Sequence, residues 1–324
     1  MGKKLSIILT TLFVGSFLTQ PAVCKDYPTK PIEIIAPYTP GSPTDITARL
    51  VAEIAQKYLG QPLVVVNKPG AGGSLGAADV ISSKPDGYKL YVGINNFFAI
   101  TVRTQKIPFE PSHLTPLANF SELIAIMCVR GDSPWRTFND FLVYGRNNPG
   151  KLRWAHTGRG LRNHMIGLLI FRKAGVETID IPYKGTPESS AALLGGHVDA
   201  VCITFSTIKD QLRAGKIRGL AAFSDHRFNA LPDIPSLIDL GFPEVAKMSG
   251  LCGFYIHKDT PEETKKTLFD AFKKASEESE FKKRVEELGD ESRFGDAEFL
   301  RESIRQTEEI SSPILKELGL YIGK

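Results

Sequence analysis

The chain has 324 residues, 42% of them hydrophobic, enough length and apolar content to fill the cores of two ordinary domains or one large α/β unit. Its formal net charge of +4 arises from 40 basic and 36 acidic residues scattered along the sequence, with no polybasic block interleaved with aromatics, so nucleic acid is not an expected partner.

At the N-terminus, Lys3 and Lys4 precede the apolar stretch LSIILTTLFVGSFL, which Gln20-Pro21 interrupts before the small residues Ala22-Val23-Cys24. This is the pattern of a secretory signal peptide over residues 1–24, and its apolar run falls short of the roughly 20 residues that a membrane-spanning helix needs. Pro21-Ala22-Val23-Cys24 fits the lipid-attachment pattern poorly, so the expectation is export to the periplasm or beyond without an anchor at Cys24. Removing the peptide takes Lys3 and Lys4 with it and leaves a net charge of about +2.

Beyond residue 27, apolar β-branched runs at 32–37, 63–67, 89–94, 122–129, 178–182, 198–203, 217–223 and 250–256 predict strands, with a further short one at 154–156. Between many of them lie amphipathic segments; in the first, Ile46, Leu50, Ile54 and Tyr58 recur at four-residue spacing and Gly60 supplies a stop. Strands alternating with helices predict parallel sheets covered on both faces. The Gly-rich GAGGSLG at 70–76 is spaced GxGxxxG after Lys68-Pro69 and lacks the acidic residue of a dinucleotide fingerprint, which makes it a tight helix entry. Residues 261–318 turn charged and helical, as solvated faces do. Cys128, Cys202 and Cys252 each sit in an apolar strand-like run and without CxxC spacing, as buried free thiols do.

Ligands of α/β sheets bind beyond the carboxyl ends of the strands, where helix N-termini offer free N–H groups to anions. Three segments have that form. In PYTPGSPTD, 37–45, Tyr38 opens the loop, Gly41 and Ser42 are expected to leave backbone N–H groups accessible, and Thr44 or Asp45 is the expected helix cap. In WAHTGRGLRNH, 154–164, Thr157, Gly158, Arg159, Gly160 and Arg162 follow a short strand, Asn163 is the expected N-cap, and His164 either donates to a ligand or holds the loop. In IPYKGTPES, 181–189, Tyr183, Lys184 and Gly185 precede Pro187 at the expected helix start. The six histidines are dispersed, with no HxH or HxxxH pair indicating a metal, and no GxSxG elbow or Cys/His arrangement marks a nucleophile.

The segment from YPTKPIEIIAPYTPGSPTD to SSKPDGYKLYVG, followed in order by PGKLRWAHTGRG, IPYKG, LLGGHVDAV, LRAGKIRGLA and ALPDIPSLIDLGFPE, resembles the tripartite tricarboxylate transporter substrate-binding proteins, the Bug family of periplasmic solute receptors. The resemblance spans essentially the whole mature chain. It implies a type II periplasmic binding protein, an α/β fold of two Rossmann-like lobes joined by hinge strands: 25–125 with 247–324 as one lobe, 126–246 as the other, and a ligand cleft between them. Carried over residue by residue, the family's Pro-Gly-Gly-x-x-Asp loop falls on Pro40 to Asp45, with Ser42 in place of the second glycine and Pro43 after it. A polar pair after the third strand falls on Asn95 and Asn96, and Pro182 to Gly185 match without change. Arg159 and Arg162 replace small residues, and Ile203, flanked by Thr204, stands where many members carry an Asp. Two added guanidiniums and one lost carboxylate predict a more positive cleft and a ligand with more than one carboxylate.

The function so implied is a monomeric, cofactor-free receptor that binds a small organic carboxylate, a di- or tricarboxylate on the charge argument, and hands it to a tripartite tricarboxylate-type permease. Two other classes fit the same residues: a sensor subunit of a signalling system, and a secreted enzyme using Asp45, His164 and Lys184 as acid/base groups.

Overall fold

In the computed structural model, which describes residues 27–322, eleven strands form two sheets; the expected signal peptide and Cys24 lie outside the described residues. Strands β1 (Ile32–Ala36), β2 (Leu63–Asn67), β3 (Lys89–Ile94), β4 (Leu114–Glu122), β10 (Leu251–His257) and β11 (Glu291–Gly295) form a six-stranded sheet in the order β11-β4-β10-β3-β1-β2. Strands β5 (Ala125–Arg130), β6 (Leu152–His156), β7 (Thr178–Pro182), β8 (Ala200–Thr204) and β9 (Ile217–Ala222) form a five-stranded sheet in the order β7-β6-β8-β5-β9. The chain passes from the first sheet to the second between β4 and β5, at Leu123-Ile124, and returns between β9 and β10.

The expected parallel sheets are instead mixed. β1 pairs in parallel with β2 and β3, and β6 with β7 and β8, while β10 runs antiparallel to both β3 and β4, and β5 antiparallel to both β8 and β9. The antiparallel strands β4, β5 and β10 flank the crossings, and β4 passes into β5 with no helix between them. The strand predicted over 122–129 straddles one crossing and is two strands in two sheets. Its apolar run LIAIMCV is continuous because residues on both sides of the crossing are fully buried, so no polar break marks the change of sheet. β4 escapes prediction because Asn119, Ser121 and Glu122 are buried polar residues on it, and β11 because its sequence ESRFG is that of a half-exposed edge.

The first helix, Pro43–Leu59, has Pro at its start and ends at Gly60 in the left-handed conformation, φ 66°, as expected. Its buried face is set by Ala48, Val51, Ala55 and Leu59 as well as Leu50 and Ile54, and Tyr58 faces water and donates to Glu278. A row in four-residue steps advances 400° per step and drifts about 120° over three steps, so Ile46 and Tyr58 lie at opposite margins of the buried stripe. Under the second sheet, Trp154 packs with Phe141, Met165, Ile170 and Phe171, joining helices Phe138–Asn147 and Arg162–Lys173 to β6. A Cβ at Gly167 would come within 2.5 Å of the Trp154 ring, so glycine there lets the helix Arg162–Lys173 lie close on the sheet. The C-terminal helix Ala297–Glu317 packs Leu300 into a cluster with Tyr91 and Tyr255 of the first sheet, and Ile314 and Leu315 into the Trp154 cluster of the second. Among the described residues no helix is long and apolar enough to cross a membrane. Cys128, Cys202 and Cys252 are buried and free.

Candidate functional site

A cavity of about 190 Å³ lies where the carboxyl ends of the parallel strands of both sheets converge. From the first sheet come Tyr38 after β1, Ile94 at the end of β3, and Asn96, Phe97, Ile100 and Thr101 beyond it. From the second come Thr157, Leu161, Arg162 and Asn163 after β6, and Thr204 at the end of β8. Leu123 and Gly250, one at each crossing between the sheets, complete the lining.

Arg162 is the one lining residue with a fixed charge. It starts the helix Arg162–Lys173, and its side chain folds back beneath the cavity, Nε donating to the Met248 carbonyl at 2.7 Å and Nη2 to the Phe223 carbonyl at 3.0 Å. Both carbonyls belong to the segment between β9 and β10, so the guanidinium ties the helix Arg162–Lys173 to that returning segment. Nη1 is left over, close to Gly250, where a Cβ would approach it to 3.0 Å. Burial lowers the Arg162 pKa to about 10, with the Glu122 carboxylate opposing the shift, so the group stays cationic at neutral pH. The helix behind it has Leu161 at its N-cap, and no side chain caps it. The expected cap, Asn163, lies inside the first turn, so uncapped N–H groups and the positive end of the helix dipole sit beside Arg162. A cation and unpaired helix N–H groups beside one cavity are groups that suit an anion.

The loop leading to that helix is held from below by histidine. His164 Nδ1 accepts from the Gly160 N–H at 3.0 Å, and His156 Nδ1 accepts from the Gly158 N–H at 3.2 Å. A ring that accepts at Nδ1 carries its proton on Nε2, and both Nε2 atoms point to Asp180 Oδ2, at 3.3 Å from His156 and 3.5 Å from His164. Burial lowers both histidine pKa values, and for His164 the neighbouring His156 lowers it further, while Asp180 opposes the shift in both; the rings are neutral. With the Nε2 lone pairs occupied by protons, this cluster is tuned to hold a loop and offers no imidazole nitrogen to a metal ion. Arg159 binds the same carboxylate, Nη2 to Asp180 Oδ2 at 3.1 Å, is largely exposed, and does not line the cavity.

The first loop differs from its sequence expectation. Ser42, not Thr44 or Asp45, is the N-cap, its Oγ accepting from the Asp45 N–H. Asp45 is 2% exposed, and its carboxylate accepts from the Gly41 N–H at 2.9 Å, Asn67 Nδ2 at 2.8 Å and Arg49 Nε at 3.1 Å. Burial alone would raise its pKa, yet Arg49, the Gly41 N–H and Asn67 outweigh it and hold the carboxyl below its ordinary value. The Ser42 N–H donates to the Thr39 carbonyl. The two N–H groups expected to face a ligand are therefore consumed inside the loop, because proline at 43 closes the turn and a buried aspartate needs donors.

The remaining expected residues separate in the same way. Asn96 lines the cavity, whereas Asn95 is fully buried behind it, donating to Ser303 Oγ at 2.7 Å and accepting from Asn96 Nδ2 and the Leu251 N–H at 3.0 Å. Thr204 reaches the cavity while Ile203 is fully buried in the core, as alternation along β8 requires. Tyr183 packs against the apolar cluster beneath β8, and the Lys184 N–H donates to Glu188, so the third loop stands away from the cavity. Pro187 takes the second helical position, after Thr186. Asp45, His164 and Lys184, the acid/base set of the enzyme reading, do not line the cavity; the Asp45 carboxylate and the His164 ring have partners elsewhere, and the Lys184 backbone N–H is held by Glu188. Sequence reasoning missed the apolar wall, because Ile94, Phe97 and Ile100 read as core; it also left His156 unassigned and did not single out Asp180.

Residues 47–320 match the family described as "Tripartite tricarboxylate transporter family receptor". The chain belongs to that family. Among curated relatives, the receptor is 33% identical over 300 residues to the UPF0065 protein in the gbd 5' region of Cupriavidus necator, covering 92% of this chain and 90% of the relative. It is 28% identical to Protein BugT of Bordetella pertussis over 74% of this chain and 75% of that one. Among solved structures, a TctC solute-binding protein from Polaromonas superposes with a TM-score of 0.78 at 29% identity, over 90% of this chain and 99% of that one. MatC from Rhodopseudomonas palustris, with bound malate, superposes with a TM-score of 0.70 at 28% identity, over 88% and 100%. The two-lobed α/β fold of the receptor is thus that of periplasmic binding proteins.

Proposed function

We propose that this receptor works in the periplasm, captures a small organic carboxylate between its lobes and presents it, as a monomer, to a membrane permease of the tripartite tricarboxylate type. The observation that carries the reading is the Arg162 guanidinium and the uncapped helix N-terminus facing one cavity at the strand ends of both sheets. The malate held by a relative of 28% identity supports the carboxylate class. The lobes are taken as 25–125 with 247–324, and 126–246. In this reading Tyr38, Asn96, Thr157, Arg162 and Thr204 contact the acid. Gly158, Gly160 and His164 shape the loop that carries Arg162, and Gly41, Ser42, Thr44 and Asp45 stiffen the wall behind Tyr38. Binding replaces the carboxylate's water with fixed donors and shifts the equilibrium between open and closed lobes toward the closed form.

A thermal-shift screen of organic acids on ligand-free protein tests this, because a ligand that binds only the folded state raises its melting temperature. Small-angle scattering of the same samples reads closure: an acid that stabilises the protein should also reduce its radius of gyration. Acids that leave both quantities unchanged would refute the reading.

A further inference from the structure

The charge and polarity of the cavity narrow the ligand class, an inference that rests on the carboxylate reading above. Two guanidiniums in the cleft would suit a dianion, but only one is there. Arg159 neutralises Asp180 outside the cavity, and no other lining residue carries a charge. Glu122, fully buried at the crossing, is ion-paired with Arg293, so its charge reaches Arg162 only through space. Away from this single charged end the lining is uncharged: Tyr38, Asn96 and Thr101 offer neutral polar groups, and Ile94, Phe97, Ile100, Leu123 and Leu161 form an apolar wall, with Phe97 and Ile100 almost wholly shielded from solvent.

A carboxylate at Arg162 exchanges water for a guanidinium and helix N–H groups. A second carboxylate against the apolar wall would give up its hydration and meet no cation, and uncompensated burial of a charge is strongly unfavourable. A hydrocarbon or aromatic body in the same place gains from leaving water. We infer that the receptor selects monocarboxylates with an apolar body, bound with the carboxylate toward Arg162 on the second lobe and the body against the wall formed by Phe97 and Ile100 of the first.

Calorimetry on ligand-free protein with matched pairs of equal carbon skeleton tests the inference: butyrate against succinate, hexanoate against adipate, 4-methylbenzoate against terephthalate. In every pair of which a member binds, the monoacid should bind about tenfold or more tighter than its diacid partner, the difference one uncompensated charge imposes. A diacid binding as tightly as its monoacid partner, or more tightly, overturns the inference and leaves the carboxylate reading standing. Binding by no acid of any pair overturns both. The variant Leu161→Arg adds a cation to the wall at an exposed position, 43% accessible, and should move the diacid-to-monoacid ratio about tenfold toward the diacid. An unmoved ratio would show that the apolar wall does not set selectivity and would overturn the inference from a second direction.

Discussion

Gly160 donates its backbone N–H to Nδ1 of His164, four residues ahead in the chain, and this bond sets the loop from which Arg162 enters the cavity. It requires an unprotonated Nδ1, so the loop has a built-in acid limit. The folded pKa values of His164 and His156 lie below their unfolded value of about 6.5. Between those values the unfolded chain binds protons that the folded chain refuses. The stabilisation is therefore complete above about pH 6.5 and is lost as the pH falls below it. We predict a melting temperature that declines from pH 6.5 downward, and a shallower decline in His164→Asn, whose amide oxygen replaces Nδ1 as acceptor without titrating there. Identical slopes for the two proteins would remove His164 from the account.

The opposite limb belongs to His226, which links the segment after β9 of the second sheet to β11 of the first. Its Nδ1 lies 2.6 Å from Asp225 and its Nε2 2.5 Å from Glu291 of β11. Hydrogen bonds to Asp225 and Glu291 raise its pKa to about 10. Here the folded state holds the proton more tightly, so the contribution is complete below about pH 6.5 and fades as the pH rises toward 10. His226→Gln should melt lower than the parent at pH 7 and converge with it near pH 10, as calorimetric melts at the two pH values would record.

Arg162 and Arg159 stand three positions apart and should behave differently. Arg162→Ala removes the only lining cation and strands two carbonyls, so acid affinity should fall about 100-fold, equivalent to roughly 2.7 kcal/mol, with a lower melting temperature as well. Arg159→Ala breaks an exposed pair with Asp180, and affinity should change by less than about threefold. Titration calorimetry of the two variants compares them directly.

Position 204 offers a test that leaves the core intact. Thr204→Asp places a carboxylate in the cavity near Arg162 and should abolish acid binding with little loss of stability, since the residue is only half-buried. Ile203→Asp buries a charge among apolar neighbours with no cation to meet it, and should cost several kcal/mol in denaturant melts. The neighbouring positions then separate folding from binding.

Asp45→Ala should destabilise the protein by about 1–3 kcal/mol, because the Gly41 N–H, Asn67 and Arg49 lose a shared acceptor. Its effect on affinity should be smaller and indirect, through the wall that carries Tyr38. Parallel melts and binding titrations would expose any larger direct role.

The fold was legible in the sequence wherever pattern and burial agree. β1, β2, β3 and β10 lie close to where apolar β-branched runs put them, and Gly60 ends its helix as a stop residue should. What escaped depends on partners distant in the chain. β4 reads as polar until Arg293 is placed beside Glu122 and the Asn119 amide is seen donating to the Arg293 carbonyl. The site was legible as three loops, of which one delivers a cation and one delivers Tyr38, while the third stands aside because β7 is the edge of its sheet. Nothing local in GRGLR tells that Arg159 turns outward to Asp180 and Arg162 inward to Met248, since both acceptors come from elsewhere in the chain. The apolar wall looked like core because, apart from the face it turns to the cavity, it is core.

The central claim is that one organic acid is held at Arg162, and native mass spectrometry of the freshly purified receptor tests it most directly. The account predicts a single small-acid adduct per chain that persists in Arg159→Ala and disappears in Arg162→Ala and Thr204→Asp. An adduct retained by Arg162→Ala would contradict it.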